Sequence, residues 1–284
     1  MGSADIETTI AQEAGGNYEA IIKLFPKHLQ EDVMRLYSFV LTANAYVNGQ
    51  PQRSAEFLAL CRGWDLAKID PKFDTKRSAS DTPDERVIKN IIYITHTYKL
   101  DPAWVEAFLA AMQEDADHKA YKSLDETLVY VYGAAEVVCL MLSKVLGFPD
   151  EALPYARLQG RATKWISFLR DIDSNNARGR QYFPSSDLVL YHLANLNQET
   201  ALGSRELFGE FTRMQLGHYN DWQLQANEGY KYIPNDLQKA VRTVAELYAW
   251  TARQIEKNPL KIYDKKIVPN KQQLATATAR AVHK

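Results

Sequence analysis

Apolar residues recur at three- and four-residue spacing along most of the chain, the period of an α-helix with one buried face. Val33, Leu36, Tyr37, Val40 and Leu41 form one such face, and Asn48-Gly49 reads as the stop of that helix. Phe57, Leu58, Leu60 and Cys61 mark a second helix. Thr82-Pro83-Asp84 opens a third, carrying Val87, Ile88, Ile91, Ile92 and Ile94. Asp101-Pro102 opens a fourth, carrying Trp104, Val105, Phe108, Leu109 and Met112. Ser123-Leu124-Asp125-Glu126 has the form of a capping box, and the mostly apolar stretch 124–146 behind it predicts a long, central, buried helix. Further helices are expected over 151–176, broken by Arg178-Gly179-Arg180, and over 199–227, 234–257 and 270–283. Strand alternation is weak, no fixed short repeat recurs, and no low-complexity linker divides the chain. The pattern predicts an all-α fold, a single large helical domain of roughly ten helices. A domain of that kind can keep a cavity between its central helices.

Composition narrows the chemistry. With 284 residues, 46% of them hydrophobic and 24% charged, the chain can bury a sizeable core, and disorder of its bulk is not expected. Lys plus Arg number 34 against 35 Asp plus Glu, a formal net charge of −1, so no nucleic-acid partner is predicted. Two distant cysteines, Cys61 and Cys139, exclude a disulfide framework and a cysteine-rich zinc site, and point to a reducing, cytoplasmic setting. The longest apolar run, Val137–Leu142, falls far short of the roughly 18 residues of a membrane span. Residues 1–14 are set apart as a tail, with Met1-Gly2-Ser3 readable as an expression remnant and without a signal pattern. Histidines lack metal-site spacing, and there is no GxSxG, P-loop or GxGxxG sequence.

The most informative segment is Phe168-Leu169-Arg170-Asp171-Ile172-Asp173-Ser174-Asn175-Asn176-Ala177-Arg178-Gly179-Arg180-Gln181-Tyr182-Phe183-Pro184. It resembles the second aspartate-rich signature of the squalene/phytoene synthase family, close to NxLRDxxEDxxxGRxYxP. Leu169-Arg170-Asp171, Gly179-Arg180, Tyr182 and Pro184 keep their identities and spacings. Leu24-Phe25-Pro26 and Tyr37-Ser38-Phe39 resemble the family's opening segment. Asp115, Tyr121 and Tyr130-Val131-Tyr132-Gly133 resemble its middle, and Tyr248 stands where a late active-site tyrosine is usual. The likeness runs over roughly residues 15–275 and implies an isoprenoid-synthase fold for residues 15–284.

The resemblance implies Mg²⁺-dependent, head-to-head condensation of two prenyl diphosphates. Aspartates on two helices would hold Mg²⁺ against the diphosphates, because Mg²⁺ prefers anionic oxygen ligands. The metal would draw charge from the leaving group, and an apolar tunnel would shield the allylic cation.

This chain departs from the pattern at its acids. Where the first motif should read YxFxRxxDDxxD, it has Leu41 for Arg and Asn44, Ala45 and Asn48 for the three aspartates. In the second motif Asp171 remains, but Ser174-Asn175 replaces Glu-Asp, and the extra Asp173 lies off the Asp171/Asn175 face. Lys164 and Ser167 stand for the usual Gln and Asn, Gly15-Gly16-Asn17 for a diphosphate-holding Ser-x-Ser/Thr, and Lys265 for a late basic residue. Condensation is therefore expected to be lost or strongly impaired. Three explanations stay open: a natural degenerate relative, an engineered variant, or altered chemistry in the same cavity. The competing class is a non-catalytic isoprenoid-binding or scaffold protein.

The resemblance puts Asp171, Tyr248 and Tyr130 in catalytic places. It puts Asn44, Asn48, Lys164, Ser167, Asn175, Arg170 and Arg180 at substrate, and gives any Mg²⁺ to Asp171, with Asn175, Asn44 and Asn48 as weak ligands. Each residue also has a plainer reading. Lys164, Ser167, Asp171 and Asn175 share a helix face that could be solvated, or could line the cavity with Lys164 and Asp171 paired. Arg170, Arg178 and Arg180 suit phosphate or an Arg–Asp brace. Tyr130, Tyr132 and Tyr248 suit a tunnel wall or an ordinary core. The run Glu114-Asp115-Ala116-Asp117-His118 is read as a solvated helix end. The expected partner is a prenyl diphosphate or another isoprenoid, with peripheral membrane contact open through the basic tail Lys265–Lys284.

Overall fold

The computed structural model describes residues 21–264 and 266–282. Helix α1 (Lys27–Asn48) buries Val33, Leu36, Val40 and Leu41 as their spacing predicts, and ends at Gly49, whose N–H donates to the Ala45 carbonyl. Helix α2 (Ser54–Lys68) follows, then α3 (Pro83–Tyr98) and α4 (Pro102–Ala116). Thr82 and Glu85 cap α3 reciprocally, and the Asp101 carboxylate accepts the Ala103 N–H at 2.9 Å to open α4. Caps of this kind are worth about 1 kcal/mol each.

The stretch 124–146 is helical but not uniform. Helix α5 (Leu124–Val131) passes through a π-helical turn (Tyr132–Glu136) into α6 (Val137–Val145). Ser123 accepts the Glu126 N–H, but the Glu126 carboxylate reaches back to the N–H of Lys122, one residue before the reciprocal position. The π turn carries Glu136 onto α7 (Leu153–Arg170), where it is fully buried and accepts from Arg157 at 2.9 Å and Arg161 at 2.7 Å. Two glycines let the backbones close there. A Cβ on Gly133 would stand 2.3 Å from the Ala107 carbonyl oxygen, and one on Gly160 2.8 Å from that of Ala135.

In length and composition alone Leu124–Val145 would pass for a membrane-crossing helix, which the short run Val137–Leu142 did not suggest. It packs instead among α1, α4 and α7, and its buried, doubly paired Glu136 suits a protein core.

The expected helix over 151–176 breaks at Asp171, whose φ of −105° and ψ of 16° separate α7 from α8 (Ile172–Ala177). A short α9 (Ser185–Leu190) leads to α10 (Gln198–Gly203) and α11 (Arg205–Asn227), so the stretch 199–227 is likewise interrupted, at Ser204. Helices α12 (Asn235–Lys257), α13 (Lys261–Asp264) and α14 (Lys271–Val282) complete the fold. The terminal helix α14 lies against α12 and buries Ala277 and Ala281, so the tail packs on the body. There is no strand among the described residues. Helices α7 and α11 pack together, and the buried Trp165 meets Trp222 edge-on there with ring centroids 5.2 Å apart. Truncating such a side chain costs about 3–5 kcal/mol.

Candidate active site

A cavity of about 830 Å³ opens between α1, α6, α7, α8 and α12. Its wall changes character along two of these helices. On α1 the lining runs from Tyr37 and Leu41 to Asn44 and Asn48. On α7 it runs from Tyr155 and Ala156, through Gln159 and Thr163, to Lys164, Ser167 and finally Asp171. Both helices thus become polar toward their C-terminal ends. At 1.5 Å per residue, Tyr155 to Asp171 spans about 24 Å, room for an extended chain with a polar head. Val244, Leu247 and Tyr248 of α12 and Leu142 of α6 widen the apolar part.

The first motif forms a neutral ladder. Asn44 donates through Nδ2 to the Val40 carbonyl at 3.1 Å, and its Oδ1 accepts from Asn48 Nδ2 at 3.1 Å. Asn48 Oδ1 in turn accepts from the Arg180 guanidinium, which also donates to the Val47 carbonyl at 3.2 Å. Arg180 is 5% exposed and absent from the cavity wall. Read in sequence as a substrate contact, it instead ties the segment after α8 to the end of α1. Its Nε finds no hydrogen-bond partner, and no carboxylate is paired with it among the described residues.

The second motif keeps one of its acids. Asp171 accepts from both Nε and Nη2 of Arg170, at 2.9 and 2.5 Å, and Lys266 lies 3.9 Å from its Oδ1. The Lys164–Asp171 pair that one reading of this face allowed is not made. That ammonium lies 5.6 Å from the centroids of both Tyr130 and Phe168, and only its longer-range field reaches Asp171. Burial acts to raise the Asp171 pKa, but Arg170, Lys266 and Lys164 together outweigh it and hold the carboxyl below its ordinary value. Ser174 and Asn175 share this part of the wall, while Asp173 is exposed and outside it.

The acidic run that ends α4 is solvated at Asp117 and His118, but its sequence reading is corrected at Asp115. Asp115 is 4% exposed and accepts from the Tyr130 hydroxyl at 3.0 Å and the Tyr182 hydroxyl at 2.6 Å. Those partners lie 15 and 67 residues away in sequence, so the run looked solvated from its own neighbours alone. Burial first, then the Asp115 charge, pushes both phenols far above their ordinary value, so they stay protonated donors. Asp115 and Tyr182 reach the cavity wall; Tyr130 stands behind it, stacked on Tyr182 with centroids 5.1 Å apart. Tyr248 does line the cavity, near Tyr37, whose hydroxyl is raised by burial, then by Cys139 and Tyr248.

The structure therefore brings together Asn44, Asn48, Lys164, Ser167, Arg170, Asp171, Asn175 and Tyr248, and leaves Tyr130 and Arg180 behind the wall. Sequence reasoning missed Lys266, next to the expected Lys265, and did not place Arg53 or Tyr37 at the cavity. Lys265 and Gly15-Gly16-Asn17 lie outside the described residues.

This donor set does not fit a cluster of several Mg²⁺ ions. The amide oxygens of Asn44 and Asn48 carry no charge and already accept hydrogen bonds, and Asp171 is neutralised by Arg170 and Lys266. No group of three or more Asp, Glu, His or Cys stands close enough to hold a metal among the described residues.

The squalene/phytoene synthase family model matches residues 11–275. A phytoene synthase of Arthrospira platensis is 24% identical over 260 residues, covering 86% of this chain and 81% of its own. A 15-cis-phytoene synthase of Pantoea ananas is 26% identical, covering 78% of this chain and 83% of its own. A dehydrosqualene synthase solved with a ligand superposes with a TM-score of 0.82 at 18% identity, over 99% of this chain and 95% of that one. A squalene synthase of Alicyclobacillus acidocaldarius gives 0.71 at 16% identity, over 90% and 93%. At such identities the solved structures show the shared fold.

Proposed function

The chain belongs to the squalene/phytoene synthase family, and from that premise we propose that its cavity binds a prenyl diphosphate or a related isoprenoid while the family's Mg²⁺-dependent condensation is lost or severely reduced. The observation that carries this reading is the ladder at the first aspartate-rich position, where the neutral amides of Asn44 and Asn48 are bonded to each other and to the cationic Arg180 instead of presenting carboxylates. An apolar chain fits between Tyr155, Leu142 and Leu247, where burial of each methylene is worth about 0.8 kcal/mol. Its polar head would reach the ends of α1 and α7. Tyr37, whose phenol is kept protonated by burial, and Tyr248 would stand beside the chain, and the apolar wall would exclude water from it.

Without charged ligands on α1, the leaving diphosphate gains little metal assistance, and each 1.4 kcal/mol of lost transition-state stabilisation slows the step about tenfold. The test is incubation with farnesyl or geranylgeranyl diphosphate and Mg²⁺, followed by mass spectrometry of organic products and assay of released diphosphate. Unchanged substrate is expected. A coupled hydrocarbon, or its cyclopropyl diphosphate precursor, would overturn the loss of condensation. Free prenyl alcohol would mean that ionisation survives without coupling.

A further inference from the structure

The charge balance of the cavity is the reverse of what a metal-binding site needs. Among the described residues its wall carries five cations, Arg53, Lys164, Arg170, Arg178 and Lys266, against two carboxylates, Asp115 and Asp171. Both carboxylates are engaged. Asp115 takes two tyrosine hydroxyls, and Asp171 takes Arg170 and Lys266. The surplus of three positive charges sits in a chain whose formal net charge is −1, so the excess is local to the cavity. No carboxylate is paired with Lys164 or Arg178 among the described residues, and the Lys164 ammonium rests near the faces of Tyr130 and Phe168, contacts that leave its three N–H donors available. A divalent cation brought here meets repulsion. An anion meets attraction in a partly dry wall, where charge–charge interactions are stronger than in water.

From this arrangement we infer that the polar end of the cavity, built from Lys164, Arg178 and Lys266 beside the Asn44–Asn48 ladder, binds the diphosphate of a prenyl ester directly, without a divalent metal. The inference rests on the isoprenoid reading above and specifies how the head group is held. Guanidinium and ammonium donors replace the bridging metal: Arg178 offers a planar fork for two phosphate oxygens, and the two lysines act as point charges. Such a site holds the diphosphate as a ligand. It supplies less polarisation of the breaking C–O bond than a metal would, in keeping with a binding protein or a slow enzyme.

Calorimetric titration of the full chain with farnesyl thiolodiphosphate, a slowly ionising analogue, tests this in EDTA and in excess Mg²⁺, with farnesol as the uncharged control. The expected result is binding in EDTA that Mg²⁺ improves by less than about threefold, and that weakens as sodium chloride rises. Lys164→Gln and Arg178→Gln should each lower affinity for the thiolodiphosphate about tenfold while leaving farnesol affinity within about twofold. Thermal melting of the free variants checks that they remain folded. Two results would overturn the inference while leaving isoprenoid binding standing: thiolodiphosphate binding that requires Mg²⁺, or farnesol binding as tightly as the diphosphate in EDTA. If neither ligand binds in either condition, the isoprenoid reading fails, and this inference falls with it.

Discussion

The ends of α1 and α7 face one cavity, and they differ in charge. At the end of α1, Asn44 and Asn48 stand four residues apart, bonded to each other and to a buried arginine. After α7, Asp171 and Asn175 stand four residues apart on the same cavity, but Asp171 is charged and held by Arg170 and Lys266. The four-residue spacing is present at both ends, while a carboxylate stands at one. The comparison separates two things that a motif usually joins: the geometry that aims side chains inward, and the charge that would recruit a metal. Here the fold retains the first without the second.

Restoring charge to both ends should produce the largest effect. A variant with Leu41→Arg, Asn44→Asp, Ala45→Asp, Asn48→Asp, Ser174→Glu and Asn175→Asp is expected to raise Mg²⁺-dependent diphosphate release at least about a hundredfold. Release of diphosphate, measured with and without EDTA, checks it. An inert variant would direct attention to Lys164 and Ser167, which Lys164→Gln and Ser167→Asn in the same background would examine.

Removing the arginine that the neutral end depends on should act on stability. Arg180→Met deletes bonds to Asn48 and to the Val47 carbonyl in a site nearly closed to water. A loss of about 2–3 kcal/mol is expected in urea unfolding, because the acceptors left behind stay buried. Asn48→Asp alone should do the opposite and stabilise the fold by about 1 kcal/mol, since a carboxylate would give Arg180 the charged partner it lacks among the described residues. A lower melting temperature in that variant would show that Asn48 is needed as a donor to Asn44.

The smallest effect belongs to the charged end. Asp171→Asn removes a partly exposed ion pair between adjacent residues, and about 0.5–1 kcal/mol is expected. Its pH dependence has a definite sign. The folded carboxyl has a pKa below its ordinary value of 3.8, so its contribution is complete above that value and disappears as pH falls through the folded pKa. Wild type and variant should therefore differ at neutral pH and converge in acid.

Helix starts were legible because their signals are local. The Thr82–Glu85 box and the Asp101 cap involve neighbours two or three residues apart, and both stand where the residues placed them. The cavity-facing set was legible through spacing: Asn44 and Asn48 on one helix, Lys164, Ser167 and Asp171 on another. Asp115 was misread because its hydroxyl donors come from α5 and from the segment after α8. Arg180 sat in the right motif, but its direction depends on α1, 132 residues away in the chain. The π turn at Tyr132–Glu136 has no local marker in the apolar pattern; its partners, Arg157 and Arg161, belong to α7.

The sequence by itself determined the helical class, most helix boundaries, the inward faces and the family likeness. Each follows from covalent neighbours, from a 3.6-residue period, or from a motif read in line. Tertiary structure alone decided which remote groups meet: Lys266 joins Arg170 at Asp171, tyrosines cover Asp115, and among the described residues the cavity wall is left with excess positive charge. A charge in a protein takes its character from the distance and burial of its partners, and those partners come together here from remote parts of the chain.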